Sequence, residues 1–208
     1  MIEALIFDFG RVVSAQKPGT LFQRYENELG LAAGTINTIM FDSVHWRRAL
    51  VGELEWAGYW QAIGPALHLN SAEAISTFAK RYYSDERMNR NVLELIRSYL
   101  GKYKMAILSN HPPGLSEWLA DWGIEGLFDE VFCSGDEGAA KPDIQVYKEV
   151  LMRLKVSACE AVFIDDTPGH VLAASSLGMH GIVFTKSAVL KKELATLLVE
   201  KTSCSKVQ

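Results

Sequence analysis

The chain has 208 residues, 49% of them hydrophobic, which suffices to bury a real core in one domain or in a domain with an insertion. A formal charge of −4, a pI near 5.8 and no basic cluster beyond Lys191–Lys192 argue against nucleic acid as a partner. No apolar run approaches the ~18 residues of a membrane span and no basic leader opens the sequence, so a soluble cytoplasmic protein without membrane association is expected.

In chain order, "ALIFDF" (4–9) reads as a first strand. The stretch 16–86 then holds helix-like segments and no convincing strand: "LFQRYENELG", "TINTIMF", "WRRALVGELEWAGYWQAIG" and "AEAISTFAKRYY". Such a block is too long for a crossover and predicts an inserted helical subdomain. Apolar runs resume at "KMAILSN" (104–110), "EVFCS" (130–134), "AVFIDD" (161–166) and "GIVF" (181–184). Between them, "IQVYKEVLMRL" places Ile144, Val146, Tyr147, Val150, Leu151 and Leu154 on one side of a helix. Short runs that are apolar without a period of two suit strands buried on both faces, so the fold class is α/β, a doubly wound Rossmann-like parallel sheet. Its core comprises 1–15 and 87–208, and the helical insertion 16–86. Cys133, Cys159 and Cys204 form neither a C-x-x-C pair nor an even framework and read as structural thiols of a reducing compartment. "KTSCSKVQ", at the end, reads as a fraying tail.

In an open parallel sheet the ligand crevice lies beyond the carboxyl ends of the strands. That rule brings together Asp8, Ser109, Asn110, Asp165 and Asp166. Lys141, ahead of Pro142 and a helix start, faces the same rim. Singly these are ordinary capping and turn residues. Adjacent carboxylates, however, are costly unless a cation or proton offsets them. Oxygen ligands without His or Cys favour a hard cation such as Mg²⁺, which keeps waters and binds a substrate phosphate. Lys141 then supplies a point charge and the Ser109 hydroxyl and Asn110 amide neutral donors, a set suited to a phosphoryl group.

Four ordered motifs, "IFDFGRVV" (6–13), "ILSN" (107–110), "AKPD" (140–143) and "VFIDDTPGHVLAASSLGMHGIVF" (162–184), resemble those of the haloacid dehalogenase superfamily of aspartyl-nucleophile hydrolases. The resemblance covers nearly the whole chain, and the block 16–86 is similar to that family's first type of helical cap. It implies that Asp8 is a nucleophile forming an aspartyl-phosphate. It also implies Mg²⁺ held by Asp8, the Gly10 carbonyl, Asp166 directly and Asp165 mainly through water. Ser109, Asn110 and Lys141 would grip the phosphoryl group, Lys141 also offsetting the charge of Asp8. The substrate would be a small phosphorylated metabolite and the protein a monomer or homodimer.

The family's phosphatases usually carry a second Asp, an acid/base, where this chain has Gly10; a branch similar to bacterial sugar-1-phosphate phosphatases shares that glycine. The next position, commonly Gly or Asn, is Arg11, so either Gly10 absorbs the strain of the turn or the loop is displaced. His170 stands where Asn is usual and is expected to alter contacts around Asp166. Two alternatives remain at this stage: a metal-independent 2-haloacid dehalogenase-type hydrolase, and a weakly active or non-catalytic phospho-ligand-binding protein. In the insertion, His45, Arg47 and Arg48 read as a solvated face, and Trp46, Trp56 and Trp60 as its core. His111 and Trp118 are placed to line the entrance.

Overall fold

The computed structural model describes residues 1–199. Five strands, β1 (Ala4–Phe7), β2 (Lys104–Ser109), β3 (Glu130–Cys133), β4 (Ala161–Asp165) and β5 (His180–Val183), form one parallel sheet in the order β3-β2-β1-β4-β5. Helices α1 (Gly19–Leu29), α2 (Thr35–Phe41), α3 (Val44–Ala49), α4 (Trp56–Ile63), α5 (Ala72–Ser84) and α6 (Arg90–Tyr99) lie between β1 and β2. The later connections carry α7 (Leu115–Asp121), α8 (Ser134–Glu137), α9 (Ile144–Leu154) and α10 (Pro168–Ser176), and α11 (Ser187–Val199) follows β5.

Alternate strand residues feed two cores because successive side chains point to opposite faces. Leu5, Phe7, Met105, Ile107, Val162 and Ile164 pack on one face; Ala4, Ile6, Ala106, Leu108, Ala161 and Phe163 pack on the other. Helices α1–α5 surround a third core, rich in aromatics, with Tyr25, Tyr59, Trp60 and Phe78 buried in it.

Local chemistry sets the boundaries. The first strand stops at Phe7, two residues short of the apolar run, because Phe9–Val13 curl into a wide turn closed by Ser14 N–H donating to the Phe9 carbonyl (2.8 Å). The run 46–64, read as one helical segment, is broken between α3 and α4 at Gly52, whose φ is +74°. A Cβ there would lie 2.3 Å from the Gly135 carbonyl oxygen, so the glycine lets the helical block touch α8. Helix α9 starts at Ile144 under an Asp143 cap rather than at Pro142, which follows a cis peptide bond. Helix α6 is an element the sequence reading did not single out, although Val92, Leu93, Leu95 and Ile96 give it an apolar face. Cys133 is a buried free thiol, whereas Cys159 is engaged rather than free, which corrects the expectation of three thiols. Cys204 and the expected tail lie outside the described residues.

The two segments that join the helical block to the sheet run side by side. Ala15 N–H donates to the Arg87 carbonyl (2.7 Å) and Asn89 N–H to the Val13 carbonyl (2.9 Å). Lys17 pairs with Glu86 across them, both side chains nearly buried, and its ammonium lies 4.1 Å from the centre of the Tyr82 ring. Removing one partner of a buried pair strands the other charge. Glu86→Gln is therefore expected to lower stability by about 3 kcal/mol in denaturant unfolding. A loss under 1 kcal/mol (about the value of an exposed pair) would show that water reaches the clasp.

Candidate active site

The register that sets Phe7 opposite both Ile107 and Ile164 brings the carboxyl ends of β1, β2 and β4 level. Asp8 leaves β1 with its N–H still donating to the Ile164 carbonyl (2.8 Å), so its side chain projects from fixed backbone. Lys141 lies between two carboxylates, its Nζ 2.8 Å from Asp8 Oδ1 and 2.6 Å from Asp165 Oδ2. All three side chains are buried or nearly so.

Asn110 holds that lysine in place. Its Oδ1 accepts from Lys141 N–H (2.8 Å) and its Nδ2 donates to the Lys141 carbonyl (2.8 Å). The amide expected to grip a phosphoryl group is thus committed to backbone on both atoms, with one Nδ2 hydrogen left over. Ser109 ends β2 nearly buried and lines the cleft.

The adjacent carboxylates differ sharply. Asp165 is fully buried and satisfied: Oδ1 accepts from Thr167 N–H (2.7 Å), and Oδ2 meets Lys141 and, at 3.0 Å, His170 Nδ1. Burial alone would push its carboxyl up. The His170 bond and the Lys141 charge outweigh it and hold the pKa at about 2. His170 therefore supports Asp165, not Asp166 as expected. Asp166 lines the cleft instead, paired with Arg11 Nε at 3.0 Å. For Asp8, burial outweighs Lys141 and raises the pKa, with Asp165 and Asp166 adding to the rise. Asp8 Oδ2 accepts no hydrogen bond among the described residues.

One oxygen from each of Asp8, Asp165 and Asp166 can lie within 4.8 Å of the others. Three carboxylates against one buried ammonium leave a negative excess, and the donors are all oxygen. The cluster fits a hard divalent cation.

The turn after Asp8 resolves the Arg11 question against Gly10. Gly10 has φ −63° and ψ 126°, open to any residue, while Arg11 takes the left-handed conformation at φ +60°. A non-glycine residue there carries about 1–2 kcal/mol of strain. Arg11 N–H donates to Ser14 Oγ (3.2 Å) as its side chain reaches Asp166, and these contacts hold the strained turn.

Above these residues opens a cleft of about 700 Å³, lined from the sheet side by Asp8, Gly10, Ser109, Asn110, Lys141 and Asp166. His111 and Trp118 line it as expected; burial pushes His111 down to about 4, so at neutral pH it is uncharged. Trp46 and Trp56 line it too, in addition to packing on the helical core, whereas Trp60 is buried in that core. Arg47 and Arg48 are exposed and bond to Asp42 and Glu53, within their own helical block. Thr167 escaped the sequence reading, although its place before Pro168 marks a helix start whose N–H groups serve the preceding carboxylate.

An aspartate at the end of the central strand, a lysine held by the second strand's asparagine and an acidic pair at the end of the fourth strand meet in one cleft of an α/β fold. Residues 3–178 match the family described as haloacid dehalogenase-like hydrolase. The chain belongs to this family and is a hydrolase. It is 28% identical over 201 residues to the sesquiterpene phosphatase astK of Aspergillus oryzae, covering 94% of this chain and 96% of the relative. Among solved structures, it superposes with a TM-score of 0.73 on a family enzyme from Bacteroides thetaiotaomicron in complex with magnesium and inorganic phosphate. That pair is 18% identical over 89% of this chain and 95% of the other. An L-2-haloacid dehalogenase from Xanthobacter autotrophicus superposes with a TM-score of 0.67 at 21% identity, covering 94% and 83%. At these identities the structural likeness speaks for the fold.

Proposed function

We propose that this hydrolase is a Mg²⁺-dependent phosphatase, acting on a small phosphorylated metabolite in the cytoplasm through an aspartyl-phosphate on Asp8, with residues 16–86 as its cap. The observation that carries this reading is the asymmetry of Asp8: Oδ1 is held by Lys141 and Oδ2 is left without a hydrogen-bond partner among the described residues. The phosphatase relative, matched along nearly its whole length, supports it.

On this reading Asp8 Oδ2 attacks phosphorus and the bond from phosphorus to the ester oxygen breaks. The Lys141 ammonium and Ser109 hydroxyl hold the equatorial oxygens where negative charge accumulates. Water then attacks the phosphorus of the aspartyl-phosphate, releasing phosphate and restoring Asp8. Asp8, the Gly10 carbonyl and Asp166 would hold Mg²⁺, with Asp165 behind them, and the ion supplies charge neutralisation for the phosphoryl group. Asp165 has its oxygens engaged by protein, which favours the outer role for it and the direct one for Asp166.

Hydrolysis of an aryl phosphate by the purified protein tests this reading. Activity is expected to fall by at least about tenfold on chelation and return with Mg²⁺, and Asp166→Ala to lose about tenfold more than Asp165→Ala. Chelation without effect, together with halide release from a short 2-haloacid, would replace the phosphatase by a dehalogenase. The Gly10 position favours that second reading, and the intact acidic pair opposes it.

A further inference from the structure

We infer that the preferred ester carries a hydrocarbon group, a phosphomonoester of a bulky apolar alcohol rather than of a sugar; this rests on the phosphatase reading. The phosphoryl end of the cleft is polar and its far wall is not. Phe22, Phe41, Trp46, Leu50 and Trp56 of the helical block line the cleft together with Trp118 of the sheet side. All six are half-buried, so they present apolar surface to the cleft and not only to one another.

That wall is rigid. Trp56 stacks on the buried Tyr59 at 5.0 Å and 7°, and Trp46 meets Tyr59 edge-on at 5.5 Å. Tyr59 is fixed by its hydroxyl donating to the Met40 carbonyl (2.6 Å). Phe41 packs edge-on against Trp46 at 5.3 Å, and Trp56 continues to His111 of the sheet side at 6.1 Å. Aromatic rings locked in this way offer contact area at little entropic cost.

Charge in the cleft points the same way. Outside the phosphoryl end, the cation Lys17 is spent on Glu86. Gln16, Asn37 and Asp42 of the insertion are solvent-exposed, and Tyr82, half-buried with its ring against the Lys17 ammonium, contributes one hydroxyl. A sugar desolvated against this wall would leave hydroxyls unpaired, each a penalty, whereas a hydrocarbon has none to lose. At about 700 Å³ the cleft also exceeds what a phosphoryl group alone needs.

Octyl phosphate and glycerol phosphate test the inference, because both are primary alkyl esters of similar leaving-group basicity. We expect kcat/KM for octyl phosphate to exceed that for glycerol phosphate by about 100-fold, from hydrocarbon burial alone. Trp46→Ala and, as a less disruptive second variant, Leu50→Asn should each shrink that ratio about tenfold. Independently of turnover, the Asp8→Asn protein should bind octyl phosphate at least about 30-fold more tightly than inorganic phosphate in calorimetry. Equal kcat/KM values, or equal affinities, overturn the hydrocarbon preference while an active aryl phosphatase keeps the phosphatase reading. Tight octyl phosphate binding by a protein that turns over no phosphomonoester overturns the phosphatase reading and leaves the ligand class standing.

Discussion

Asp8→Asn is expected to reduce phosphomonoester turnover by at least about 10⁴-fold, the scale on which removal of a covalent nucleophile acts, while leaving the protein folded. The amide keeps the volume of the carboxylate but cannot attack phosphorus. Lys141 does not lose its counter-charge, because Asp165 Oδ2 remains 2.6 Å from its Nζ and is the member of the pair held ionised. Asp8 itself is the carboxylate whose charge burial opposes, so its neutralisation removes a cost rather than a support. The melting temperature should accordingly stay within a few degrees of the wild type. Single-turnover kinetics with an aryl phosphate and acid-quenched detection of phosphoenzyme provide the check. Retention of more than about 1% of turnover, or a phosphoenzyme still formed by the variant, would move the nucleophile elsewhere.

Local constraints show in the sequence, and long-range partnerships do not. The five strands were legible because a parallel strand buried on both faces shows as an unbroken apolar run, as Ala4–Phe7 and Ala161–Asp165 do. The strand-end rule collected Asp8, Ser109 and Asp165 for the same reason. Partnerships were not legible. Asn110 and Lys141 are 31 positions apart, and only the packing of α9 against β2 makes the asparagine a clamp for lysine backbone. His170 looked like a neighbour of Asp166 from its motif position, but the first turn of α10 turns its ring onto Asp165. The break between α3 and α4 depended on Gly52 meeting Gly135, a contact that helical periodicity cannot announce. Tryptophans were ambiguous for a physical reason: a ring on the inner face of the helical block can pack on Tyr59 with one side and line the cleft with the other, as Trp46 and Trp56 do.

Gly10→Asp is expected to accelerate hydrolysis of alkyl esters by about 10²-fold or more, within the range that a positioned general acid/base contributes. The backbone already admits the side chain. Gly10 sits at φ −63°, and an added Cβ would meet Asp8 Oδ2 at 3.7 Å, ordinary contact distance. Because Arg11, not Gly10, takes the left-handed conformation, the substitution adds no strain to the turn. A carboxylic acid at this place can protonate the departing alkoxide, then as carboxylate take a proton from the water that attacks the aspartyl-phosphate. Protonation matters most for a basic leaving group, so phosphoenzyme formation should gain more on octyl phosphate than on an aryl phosphate. On the proposed mechanism breakdown passes through the same aspartyl-phosphate whatever the ester, so its rate should rise equally for both. Rapid-quench measurement of the two steps separates these effects. Should the variant fold, respond to Mg²⁺ and yet match or trail the wild type in both steps with both esters, the missing acid is not what limits this site. The limit then lies in Arg11, whose pairing with Asp166 at 3.0 Å occupies the carboxylate proposed to hold the cation directly, and Arg11→Asn, which keeps the left-handed turn and frees Asp166, becomes the variant expected to raise the rate.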